Sequence, residues 1–127
     1  MDDKQMRDFM EKFLAAWSTQ DVEAVAQCYA DDVVYRDPNT RGEIKGNEAL
    51  KHYLPKLFAG WDMTWSTREI HQLKDREGAA LLWHATFKKK GGSKMVEADG
   101  MDLVIIRNGK VARNEVNFDR TVLSQLS

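Results

Sequence analysis

The reactive side chain that the local sequence fixes most firmly is Asp37, which stands directly before Pro38 and just after the β-forming run Val33, Val34, Tyr35. Proline has no N–H to give a ladder and holds the residue before it extended, so a strand ends there. Asp37 is then a carboxylate fixed where the chain leaves a sheet, where it could do chemistry. An Asp before Pro is also an ordinary turn residue, and that reading stands beside the first. The other reactive types offer less. His52, His71 and His84 lack the spacing of metal ligands, so no metal site is expected. Cys28 falls on the apolar side of a helical pattern and reads as a small core residue. No serine sits in a nucleophile-elbow sequence, so neither a Ser-His-Asp nor a Cys-His triad has local support.

These residues need a framework, and the chain is long enough to build one. Its 127 residues suit one domain, 1–127, without repeat or linker, and 43% hydrophobic residues suit a globular protein. A net charge of −1 gives neither nucleic acid nor an anionic membrane an excess of basic charge to meet. The run Lys88-Lys89-Lys90 precedes Gly91-Gly92 and reads as a solvated hairpin tip. With no apolar run of membrane-spanning length, no signal-peptide pattern and a lone cysteine, the expected location is the cytoplasm.

Two periodicities divide the chain. Met6, Phe9, Met10, Phe13, Leu14 and Trp17 repeat at helical spacing over residues 3–19, with Asp2 and Asp3 suited to the helix start. Asp21 caps a second, shorter expected helix through Tyr29, and Asp31-Asp32 is expected to make the turn into the strand that ends at Asp37. A third helix opens after Gly46 with Leu50, Tyr53, Leu54, Leu57 and Phe58 on one side, and Pro55 predicts a kink or break. From Asp62 onward the period is two. Strands are expected at Met63–Leu73, Ala79–Lys89, Lys94–Arg107 and Lys110–Phe118, the last pair joined by the hairpin signal Asn108-Gly109. A short helix or tail follows. Helices first and long antiparallel strands after give an α+β class, with a sheet curled around the helices into a cone that has a mouth.

That order of elements, with several local sequences, resembles the NTF2-like superfamily and its SnoaL-like and ketosteroid-isomerase-like branch. The matching pieces are Phe13-Leu14-Ala15-Ala16-Trp17 before Asp21-Val22-Glu23-Ala24, then Tyr29-Ala30-Asp31-Asp32, Asp37-Pro38, Gly46 before the third helix, Gly100-Met101-Asp102, Asn108-Gly109-Lys110-Val111 and Asn117-Phe118-Asp119-Arg120. The resemblance implies a cone-shaped, cystatin-like roll with three N-terminal helices packed on a curved, mainly antiparallel sheet. It also implies roles. Asp37 matches the general base of the isomerases, and Asp102 the acid kept neutral to donate a hydrogen bond to the developing enolate. Strand parity favours Asp102 over Asp99, since residues three apart face opposite sides. The alternative for Asp102 is a surface acid held by an arginine such as Arg113.

One departure bears on activity. Phe13 stands where the isomerases carry the tyrosine of the oxyanion hole, Leu54 replaces a supporting tyrosine, and Tyr29 remains. A lost donor of this kind costs about 3 kcal/mol of transition-state stabilisation, which turns the expectation from steroids toward a more activated carbonyl compound or a cyclisation. The expected pocket wall is Phe13, Trp17, Tyr29, Leu54, Phe58, Trp83, Phe87, Asn114, Val116 and Phe118 around Asp37 and Asp102, taking a small apolar ligand with no cofactor. The alternatives are a binding protein without chemistry, an epoxide hydrolase using Arg36, Arg68 or Arg113 between two acids, and a dimeric assembly or adaptor domain. Apolar residues on both faces of the third long strand predict a homodimer packed through the outer sheet face.

Overall fold

The computed structural model describes residues 1–126. Three helices, α1 (Asp3–Thr19), α2 (Val22–Ala26) and α3 (Asn47–Gly60), accompany six strands. These are β1 (Tyr29–Arg36), β2 (Ile44–Lys45), β3 (Trp61–Gln72), β4 (Gly78–Lys89), β5 (Met95–Arg107) and β6 (Lys110–Asn117), followed by a 3-10 helix, Arg120–Leu126. The strands form one sheet in the order β2-β1-β6-β5-β4-β3. Its strands pair antiparallel except β1 with β6, which run parallel. The result is an α+β fold with helices packed on a mixed sheet that stays open at its edges.

Helix α1 begins with a capping box. The Asp2 carboxylate accepts from Gln5 N at 2.7 Å, and Gln5 Oε1 accepts from Asp2 N at 2.9 Å, so two otherwise orphaned donors are satisfied. Its buried stripe is Met6, Met10, Phe13, Leu14 and Trp17. At its far end Gln20 takes a left-handed conformation, φ 54°. The Gln20 side chain then donates to Trp61 O (2.6 Å) and accepts from Met63 N (2.6 Å). One amide thus sets the height of Trp17 against the first residues of β3.

Three expectations change. The second helix ends at Ala26, and Tyr29 already belongs to β1. Asp31 and Asp32 lie inside that strand, where its register against β6 shifts between Tyr29 and Val34. An irregular strand can carry two exposed acids without making a turn. Cys28 accordingly sits beyond the helix, half-buried, with its thiol against Ala24 O, and burial raises its pKa. Finally, of the kink or break expected at Pro55, the break does not occur: α3 continues through it. The lost hydrogen bond and ring clash cost ~3 kcal/mol, but burying Leu50, Leu54 and Phe58 returns about 1.5–3 kcal/mol each.

On β4, Leu81, Trp83, Ala85 and Phe87 face the core, and Leu82, His84 and Thr86 face outward, as strand alternation requires. At the hairpin end, Lys88 and Lys90 pair with Asp62.

Replacing Gln20 by Ala removes both anchors between α1 and β3 and leaves Met63 N without its partner. Urea unfolding should show a loss of roughly 1–3 kcal/mol; a change below ~0.5 kcal/mol would show that the joint is held by packing alone.

Candidate functional site

Asp37 and Asp102 line the same cavity, between α1, α3, the sheet and the closing 3-10 helix. The hollow encloses about 540 Å3 of non-atom space with its mouth included, and about 40 Å3 is open to the centre of a water molecule. One water needs about 10–15 Å3 on that measure, so the cavity has room for a few waters. The half-buried Leu57 and Leu123 belong to its lining.

Asp102 comes from the middle of β5, opposite Leu81 on β4 and Val116 on β6, and is 5% exposed. Two neutral donors hold it. Trp83 Nε1 donates to Oδ1 at 2.8 Å, and Asn114 Nδ2 donates to Oδ2 at 3.1 Å. Asn114 is itself fixed: its other bond goes to Leu103 O, and its Oδ1 accepts from the Tyr29 hydroxyl at 2.7 Å. Tyr29 in turn accepts from Trp17 Nε1 at 3.0 Å. Every bond in this chain points its proton toward Asp102. No cation pairs with the carboxyl among the described residues. Burial lifts its pKa to about 7; the bonds from Trp83 and Asn114 oppose the rise, and the charge of Asp37 adds to it.

Asp37 is built differently. Oδ1 accepts from the backbone N–H groups of Asn39 (2.7 Å) and Thr40 (3.1 Å), the turn that Pro38 begins. Oδ2 accepts from the hydroxyls of Tyr35 (2.6 Å) and Tyr53 (2.7 Å). A carboxylate has about four acceptor positions, and all four are occupied. Burial and then the Asp37 charge raise the pKa of both tyrosines, so each remains a protonated donor.

Of the expected wall, Trp17, Phe87, Val116 and Phe118 line the cavity. Phe13, Leu54 and Phe58 do not; they are buried in the core, where Phe13 meets Tyr29 edge-on at 5.6 Å. Tyr29, Trp83 and Asn114 lie one layer back and act on Asp102 through hydrogen bonds. The three arginines considered for an epoxide site stay outside the lining: Arg36 is exposed, Arg68 faces Asp99, and Arg113 binds Glu115. The Arg113 alternative for Asp102 therefore gives way to burial against Trp83 and Asn114.

Sequence reasoning passed over Tyr35, Tyr53, Trp61 and Trp65. Local signals existed for some of them: Tyr35 stands near the end of β1, two residues before Asp37, and Trp61, Met63 and Trp65 alternate along β3, all three lining the cavity; none pointed to Tyr53. Trp65 is notable because its indole N–H is buried without a hydrogen-bond partner, an orphan donor in the cavity wall. His84 lies on the outer face, bridging Asp99 (2.7 Å) and Glu97 (3.0 Å). Among the described residues no cluster of His, Cys, Asp and Glu could hold a metal, and no helix is long and apolar enough to cross a membrane.

Residues 10–114 match the family model of the SnoaL-like domain, and the chain belongs to that family. Its fold is that of NTF2-like and ketosteroid-isomerase-like proteins. A candidate isomerase from Bacillus subtilis superposes with a TM-score of 0.86 at 12% identity, covering 99% of this chain and 95% of that one. A protein of ketosteroid-isomerase-like fold from Catenulispora acidiphila, in complex with trimethylamine, gives 0.81 at 16% identity, over 93% and 91% of the two chains. A candidate polyketide cyclase from Pseudomonas putida gives 0.79 at 15% identity, over 93% and 94%. At such identities the likeness concerns the fold. Compared by sequence with curated proteins, the chain has no significant match.

The raised pKa of Asp102 makes stability depend on pH. Its folded value, about 7, exceeds the unfolded value near 3.9. The folded state binds its proton more tightly, so this contribution is complete below about pH 4 and fades as pH rises through 7. Urea unfolding from pH 4 to 8 should show a declining component of up to ~1.4 kcal/mol per pH unit that is missing from Asp102→Asn. Parallel curves for the two proteins would contradict the assignment.

Proposed function

We propose that the cavity performs cofactor-independent proton transfer, an isomerisation or a cyclisation, on a small, mostly apolar carbonyl compound. The observation that carries this reading is the buried Asp102 carboxyl, whose pKa near 7 suits proton exchange at neutral pH. Trp83 and Asn114 each fill one acceptor position on a different oxygen. The acid proton therefore occupies a remaining position, for which a carbonyl oxygen in the cavity is the natural acceptor. Asp37, as the carboxylate, removes the proton from the carbon beside that carbonyl and returns it to another carbon of the same molecule. Asp102 stabilises the enolate in between, and both acids end as they began. The free N–H of Trp65 is a candidate second donor to the oxygen, where Phe13 supplies none.

A second reading, a binding protein without turnover, draws on the full coordination of Asp37. For Asp37 to take a proton, one of the Tyr35 and Tyr53 hydroxyls has to release Oδ2. The names of two similar structures, a candidate isomerase and a candidate polyketide cyclase, agree with the enzymatic reading. We place the protein in the cytoplasm as a homodimer joined through the outer sheet face, where Met101 is 44% exposed and Leu82, Leu103 and Ile105 are half-buried. Met101→Glu should convert such a dimer to monomer in sedimentation; a monomeric parent protein would rule it out.

The test of the chemistry is deuterium uptake from D2O into the α-carbon of a panel of small aryl ketones and β-diketones, followed by NMR. Asp37→Asn and Asp102→Asn should each slow exchange by about 10²-fold or more while Asp37→Asn keeps ketone affinity. Binding without any exchange in the parent protein would establish the non-catalytic reading.

A further inference from the structure

We infer that Gly100 and Trp83 form one positioning device for Asp102: the side chain absent at Gly100 leaves the notch in which the Trp83 indole lies, and the indole N–H orients the carboxyl. The inference rests on the reading above, in which Asp102 is the group that exchanges the proton. Gly100 and Trp83 are direct partners across β4 and β5. A Cβ at Gly100 would stand 2.3 Å from Trp83 Cη2, 2.4 Å from Cζ2 and 2.8 Å from Asn117 O, none of them a tolerable contact. Glycine in a strand interior weakens it unless something approaches closely. Gly100 is absent from the positive-φ glycines, so its backbone gives no reason for the choice. The approaching ring does.

The ring has nowhere else to go. Trp83 is fully buried, with Trp65 edge-on at 4.6 Å on one side and Phe118 at 5.9 Å on another. From that seat Nε1 reaches Asp102 Oδ1, two residues along β5 from the notch. Asn114 holds the other oxygen, so the two donors together fix the plane of the carboxyl and the direction of its remaining acceptor positions. Trp83 and Gly100 thereby determine where a ligand oxygen must sit, without either being among the residues that line the cavity.

The experiment is a 13C NMR titration of the Asp102 carboxyl in the parent, Trp83→Phe, Gly100→Ala and the double variant. Removing a hydrogen bond to the charged form raises a carboxyl pKa, so Trp83→Phe should move the midpoint up by about one unit. Gly100→Ala should move it the same way by displacing the indole, and the double variant should go no higher than Trp83→Phe alone, since both changes act through one bond. Gly100→Ala should also cost less stability to urea in a Trp83→Leu background than in the parent, because the indole's share of the clash is gone while the contact with Asn117 O remains. An unchanged midpoint in Trp83→Phe, additive shifts in the double variant, or an equal cost of Gly100→Ala in both backgrounds would each overturn the inference. A parent midpoint near 4 would instead contradict the proposed proton exchange, and the shifts between variants would still measure the positioning.

Discussion

A carboxyl group in an apolar interior without a cation is the constraint around which this molecule is arranged. An isolated ionised carboxylate there would be costly enough that the group holds its proton instead. Asp102 is kept at the balance point by two neutral donors, Trp83 and Asn114, which favour the charged form against the burial and the Asp37 charge that oppose it. An arginine in place of either donor would have ended the competition in favour of the anion. The structure keeps its arginines on the outer surface and the mouth: Arg68 with Asp99, Arg113 with Glu115, and Arg120 donating to Asn39 at 2.8 Å.

The scaffold follows from the need to bring those donors in from four different elements. Trp17 is supplied by α1, whose height is set by the Gln20 amide on β3. Tyr29 opens β1, which lies parallel to β6 and so delivers its hydroxyl to Asn114. Trp83 comes from β4, across from the glycine of β5. Each link is neutral and directional, so the network orients Asp102 without fixing its charge. Asp37 represents the opposite solution, a carboxylate surrounded by four donors at the strand end that Pro38 creates. Two acids in one cavity, one fully coordinated and one held in the balance by neutral donors, give the site an asymmetry on which the proposed proton transfer would draw.

Much of this was legible in the residues. The helical stripe from Met6 to Trp17, the alternation from Leu81 to Phe87 and the Asn108-Gly109 hairpin are local patterns, and local patterns fix helices and strands. Strand parity was enough to turn Asp102 inward. What could not be read locally was contact between distant elements. Phe13, Leu54 and Phe58 have the same helical spacing as Trp17, and only the packing angle of the helices decides which side chain reaches a cavity. Tyr35 and Tyr53 lie 18 residues apart on different elements, and nothing local shows that both hydroxyls reach the oxygen of Asp37. The Asp31-Asp32 pair has turn composition, yet the strand simply carries it, because a register shift against β6 is a property of the pairing.

The central claim is that Asp102 offers a proton to a ligand oxygen inside this cavity. Calorimetric binding of acetophenone between pH 5 and 9 tests it most directly. Affinity should be level up to the Asp102 midpoint near pH 7 and then fall about tenfold per unit, as the donor is lost, and Asp102→Asn, whose amide still donates at every pH, should abolish that slope. Affinity independent of pH in the parent protein, or a slope that survives in Asp102→Asn, would contradict it.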